Sequence, residues 1–192
     1  MTQHRERLRQ RYRPSRVRVL FVGEAPPASG RFFYKANSGL YCAIRDVFVK
    51  VFPAIEQEEF LASFCRLECY LVDLCGTPVD RLSIRQRKIA RARAEVRFRQ
   101  ILKDTSPMIL VTVVKAISNN IQRARELANW KGPCFELPYP GRWKRHRVQF
   151  ERDLAAILRM EYAGNLQDKV TAAGICPSTR CRQLRKRMLA QQ

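Results

Sequence analysis

The residues best suited to chemistry begin in Arg16 to Tyr41, RVRVLFVGEAPPASGRFFYKANSGLY, where Glu24 follows a short apolar run that stops at Gly23. Ala25, Pro26 and Pro27 come next, and after a polar interval Phe32, Phe33 and Tyr34. A carboxylate in such a loop can orient water or stabilise a cationic centre, and a neighbouring ring can stack on a planar ligand. The plainer alternative is a solvated loop acid followed by core aromatics. A second acid, Asp73, interrupts the apolar run from Cys69 to Cys75. It faces either a ligand or an arginine partner. A third stretch, Leu137, Pro138, Tyr139, Pro140 and Gly141, turns into the cations Arg142, Lys144, Arg145 and Arg147, with His146 among them.

Those groups sit in a strongly basic chain. Its 192 residues carry 37 Lys and Arg against 17 Asp and Glu, a net charge of +20. Such a surface attracts polyanions, nucleic acid above all. No stretch pairs enough apolar surface with its charge to favour a membrane partner, and none approaches the roughly 20 apolar residues of a spanning helix. The N-terminus MTQHRERLRQRYRP has no apolar core of a secretory signal, so an intracellular, reducing compartment is expected. The seven cysteines Cys42, Cys65, Cys69, Cys75, Cys134, Cys176 and Cys181 form no paired C-x-x-C knuckles, and His4 and His146 are the only histidines. That spacing fits free thiols better than a metal site or disulfides, so neither metal nor cofactor is expected.

The elements that must position these residues follow from hydrophobic period. Val17 and Val19 to Val22 read as a buried parallel strand ending at Gly23, with Asn37 or Ser38 as N-cap of the next helix. Leu40, Ile44, Val47 and Phe48 make that helix amphipathic, and Phe60, Leu61 and Phe64 mark another over Glu56 to Arg66. Cys69 to Cys75 is a second strand, stopped by Gly76 and Pro78. Ser83 to Lys103 is a long basic helix with a thin stripe of Ile89, Val96, Ile101 and Leu102. Met108 to Val114 is a third strand, Ile117, Ile121, Ala124 and Ala128 a helix, and Cys134 to Leu137 the last strand. A helix from about Arg145 to Tyr162 buries Phe150, Leu154, Ile157 and Leu158. Alternating strands and helices imply an α/β fold, three-layer α/β/α, around a parallel sheet of about four strands. The chain divides into a basic N-terminal arm over 1–15, mobile or lightly docked, a domain over 16–162, and a basic tail over 163–192.

With GEAPP after the first strand and LPYPG after the last, residues 16 to 160 resemble the uracil-DNA glycosylase superfamily. There a G-E-A-P-G-like motif holds the water-handling residue, an aromatic shortly after stacks on the extruded base, and an Asn near the end of strand two reads the base edge. A H-P-S-P-like motif after the last strand contacts the base and the DNA minor groove. The resemblance therefore implies Glu24 as the catalytic acid, with Gly23 and Ala25 beside the base. It implies Phe33 as the stacking ring, with Phe32 as competitor, and Asp73 as the reader of the base edge. It sets Leu137 against the base, and Pro138, Tyr139, Pro140, Gly141, Arg142, Lys144, Arg145, His146 and Arg147 at the DNA. Leu137 stands where a His often donates to the base, and Leu has no hydrogen to donate. Asp73 replaces an amide, and an ionised carboxylate suits an edge presenting N–H groups, such as the N1–H of hypoxanthine or xanthine. Pro27 replaces a glycine, which removes a backbone N–H. The cysteine pair that precedes strand one in the iron–sulfur branch is missing, so no cluster is implied.

The expected function is hydrolysis of the N-glycosidic bond of a flipped, deaminated or damaged base in DNA, by a monomer. Two alternatives stand beside it: a fold relative without catalysis that binds DNA or RNA through its arginines, and a basic accessory subunit of a nucleoprotein particle.

Overall fold

The structure, a computed structural model, describes residues 2–163. Four strands, β1 (Val19–Gly23), β2 (Cys69–Asp73), β3 (Ile109–Thr112) and β4 (Cys134–Glu136), form one sheet in the order β2-β1-β3-β4, with every pairing parallel. Six helices surround it: α1 (Thr2–Arg11), α2 (Gly39–Val51), α3 (Phe60–Arg66), α4 (Ile84–Thr105), α5 (Ser118–Ala128) and α6 (Lys144–Tyr162). The chain steps outward from β1 to β2 through α2 and α3, then back across β1 to β3 through α4. Right-handed crossovers put these connections on opposite faces. Accordingly α2 packs on α6 and α4 on α5, which gives the three-layer α/β/α architecture. No helix among the described residues is long and apolar enough to cross a membrane.

The strands read as continuous apolar runs because helices cover both faces. Val19, Leu20, Phe21 and Val22 are wholly buried at the centre of the core. Phe21 meets Phe48 of α2 and Phe64 of α3, and Phe48 meets Phe60, so one aromatic cluster joins strand and helices. Ser38 caps α2 by accepting the Tyr41 N–H at 3.1 Å, while Asn37 Oδ1 instead accepts the Phe32 N–H at 2.8 Å. Ser83 and Gln86 form a capping box at the start of α4.

Three expectations are corrected. The exposed residues of α4 include Ile89 and Val96, and its buried ones are Glu95, Phe98 and Leu102. Ala90 and Ala94 pack against the core, so the inward face of α4 is built partly from small side chains that the hydrophobic stripe does not contain. The helix expected from Glu56 begins only at Phe60. The N-terminal arm contains a helix, α1, whose Leu8 packs on the core beside Tyr12 and whose Arg9 is buried. Its sequence lacks a hydrophobic stripe, so only docking reveals it. The tail from Gly164 onward, with Arg180, Arg182, Cys176 and Cys181, lies outside the described residues.

Docking of α1 centres on the free edge of β2. The Tyr34 hydroxyl accepts the Leu71 N–H at 2.8 Å and donates to the Leu71 carbonyl at 3.0 Å, which satisfies the outward backbone of that strand. The Tyr12 ring stacks on Tyr34 with centroids 5.8 Å apart and planes 12° apart. Tyr34→Phe would keep the packing but strand both buried Leu71 groups. A loss of roughly 1–3 kcal/mol in urea denaturation is expected, and an unchanged midpoint would refute this role for the hydroxyl.

Candidate functional site

The register of the two central strands builds the site. Gly23 pairs with Asp73, and the chains stay side by side beyond the strands: Leu74 N–H donates to the Gly23 carbonyl at 2.9 Å and Cys75 N–H to the Glu24 carbonyl at 2.8 Å. Two acids therefore leave neighbouring strands at the carboxyl end of the sheet, where open α/β folds bind ligands. Gly23 is needed there because a Cβ on it would lie 2.6 Å from Asp73 Oδ1. The Asp73 carboxyl thus lies over Gly23 of β1. Both acids are only 8% exposed.

Their surroundings differ. Arg87 Nε donates to Glu24 Oε1 at 2.5 Å while its Nη2 pairs with Oε2, and Arg91 Nε donates to Oε1 at 2.6 Å. Arg91 Nη1 also holds the Ala116 carbonyl, at 3.0 Å. Burial pushes the Glu24 carboxyl up, but the hydrogen bonds and charges of the two guanidinium groups outweigh it and hold the acid below its ordinary range. Glu24 is therefore ionised at neutral pH.

The Asp73 carboxylate has no hydrogen bond or ion pair among the described residues; Arg97 Nη1 takes the backbone carbonyls of Asp73 and Leu74 instead, at 2.8 and 3.0 Å. Burial raises Asp73 to about 6, with the Glu24 charge adding to it and Arg9, Arg97 and Arg5 opposing. One acid is fixed as an anion and the other titrates close to neutrality. Two carboxyls held apart in this way can divide acceptor and donor work.

The remaining expected residues fall into two groups. Ala25 is partly buried against the core beside Glu24. Phe33 lies inside the aromatic cluster, 3% exposed, with Tyr34, Tyr41 and Phe60 meeting it edge to face and Phe64 at 5.2 Å. A base could face it only by taking the place of one of those rings. Phe32, equally buried, has a single ring neighbour among the described residues, Tyr34 at 5.6 Å. Leu137 is buried and extends β4 by donating its N–H to the Thr112 carbonyl at 2.8 Å. Pro138 and Pro140 are buried and hold the turn, while Tyr139 projects, 47% exposed, with its ring against Gly141. Arg142, Lys144 and Arg145 are exposed, His146 is half-buried, and Arg147 is engaged by Glu151 at 2.8 Å and Asp46 at 3.0 Å.

Sequence reasoning missed Arg87, Arg91 and Trp143. The first two are spaced i, i+4 on α4, and the signal for them was a buried acid that had to find counter-charges. Trp143 is 59% exposed, with the Arg142 guanidinium 5.9 Å from its ring centre, so the turn after β4 presents an aromatic and a cation together. Among the described residues no group of three or more His, Cys, Asp or Glu is arranged to hold a metal ion.

The Asp73 environment has a signed consequence for stability. Its carboxyl titrates at about 6 when folded against an ordinary value of 3.8, so over that interval the folded state holds a proton that the unfolded chain has lost. Stability therefore falls as pH rises through this window and levels off above it. Asp73→Asn should exceed wild type by up to ~3 kcal/mol above about pH 6, with the difference shrinking towards about pH 4. Urea denaturation across that range checks it, and a difference independent of pH contradicts it. No family model matches this chain, and no curated protein matches it either.

Proposed function

We propose that the protein binds nucleic acid, DNA in the first place, and hydrolyses the N-glycosidic bond of a deaminated or damaged base turned out of the stack. The observation that carries this reading is the pair of buried acids, Glu24 and Asp73, on adjacent strand ends among arginines. Water adds to the sugar C1′, the C1′–N bond breaks with its electron pair on the base, and the water proton leaves by way of a carboxylate. Positive charge on the sugar in the transition state is stabilised by Glu24, which stays ionised. Asp73 meets the base edge. Ionised, it accepts from a ring N–H; protonated, it also donates, as the amide of the resembled superfamily does.

Extruding a base costs a few kcal/mol, which stacking and edge hydrogen bonds offset. Phe32 at the crevice loop and the exposed Tyr139 and Trp143 on the turn after β4 are the rings this reading assigns to that work. Arg142, Lys144 and Arg145 supply phosphate contacts that fix register without reading sequence.

A second reading is favoured by one observation: both Glu24 oxygens already accept guanidinium N–H groups. A protein that only binds DNA or RNA would keep Glu24 as the structural anchor of α4.

Duplexes carrying uracil, hypoxanthine, xanthine or mismatched thymine separate the two. With free base and alkali-induced scission as readouts, at least one duplex should lose its base, and Glu24→Gln should slow this by about 100-fold or more. If no duplex loses its base, while salt-dependent binding survives in Glu24→Gln, the binding-only reading replaces the enzymatic one. A thermal melt of the variant guards against loss of fold as the cause.

A further inference from the structure

The two arginines on Glu24 are not equivalent. Arg91 is 14% exposed, pairs with Oε1 alone, and is tied at its other end to the Ala116 carbonyl. Arg87 spans both carboxylate oxygens, has a side chain 38% exposed, and its guanidinium makes no other hydrogen bond among the described residues. It closes the first turn of α4, donating its backbone N–H to the Ser83 carbonyl at 2.8 Å. The partial positive charge of a helix N-terminus favours an anion there over a cation. Exposed Arg81, Arg85 and Lys88 surround this turn and gather phosphate.

We infer that Arg87 is a movable clamp: a backbone phosphate of the bound nucleic acid takes its guanidinium from Glu24, and Arg91 keeps the carboxylate in place with Oε2 open to water. The inference rests on the reading that the crevice accepts nucleic acid. The exchange replaces one bidentate, charge-assisted pair by another of the same kind, so its direction is set by how much phosphate is present. Without nucleic acid, Glu24 Oε2 is covered and the site is idle. With it, the oxygen is exposed only after the backbone has docked, which couples water orientation to binding. Asp80, the other acid whose charge Arg87 feels, accepts the Ala28 N–H at 3.1 Å and so ties the loop after β1 to the segment that leads into α4. Arg87 and Arg91 are positioning residues in this scheme, since both act through Glu24.

The test follows the side-chain Nε–H resonances of Arg87 and Arg91, assigned through Arg87→Lys and Arg91→Lys, as the full chain is titrated with a short unmodified duplex. Arg87 should shift and Arg91 hold still, with high salt restoring the free spectrum. Binding with neither resonance moved, or with both moved alike, overturns the inference and leaves the nucleic-acid reading standing. If no duplex binds, both fall together. Where a duplex loses its base, a second readout applies: Arg87→Gln should act on KM, raising it about tenfold, and Arg91→Gln on kcat, lowering it about tenfold or more. The opposite split overturns the inference.

Discussion

A carboxylate at the end of a buried central strand must either give up its charge or find cations, because the low-dielectric interior pays little of its lost hydration. Glu24 takes the second course, and α4 is placed by it. Apolar burial of Phe98 and Leu102 seats the later turns of that helix, while Arg87 and Arg91 draw its beginning over the crevice. Hydrophobic period alone gives a different inward face, since an arginine that faces inward looks like a surface residue in a pattern count. The helix is consequently held by two unlike forces along one side, and its charged end is the one that meets the site.

The neighbouring acid takes the first course. Asp73 shares the same sheet end and is equally little exposed, yet the guanidinium of Arg97 beside it is spent on backbone carbonyls. Proximity to Glu24 then works against a second full charge. The sheet end therefore carries one permanent anion and one proton-sensitive group within a net cationic rim. A simple anion would be repelled by the buried carboxylates, and the nucleic acid of the proposed function, with its polar base edges and phosphate backbone, meets both features.

Most acids elsewhere are also consumed. Glu68 and Glu161 hold Arg18, Glu95 holds Arg123, and Asp46 with Glu151 holds Arg147. The pairs of Arg147, exposed on both sides, add little stability. The larger effect of all these pairs is to leave the surplus of arginine and lysine without internal partners, so the surface field stays strongly positive.

The sequence by itself determined the layers, the parallel sheet and the order of elements, because fully covered strands and one-sided helices leave different periods in the chain. It also marked Glu24, Asp73 and the turn after β4, since a charge that breaks an apolar run is visible without coordinates. Tertiary structure decided which partners those groups meet. The i, i+4 pair Arg87 and Arg91 acquires meaning only when α4 crosses the end of β1, more than sixty residues away in sequence. Likewise Phe33 and Phe32 are indistinguishable in the sequence, and the folded core gives the first several ring neighbours and the second one. Helix α1 had no stripe of its own to read; it exists because the open edge of β2 required Tyr34, and Tyr34 gave Tyr12 a surface on which to stack. Periodicity is local and survives in the linear chain, whereas counter-charge and edge protection are settled by whatever the fold brings alongside.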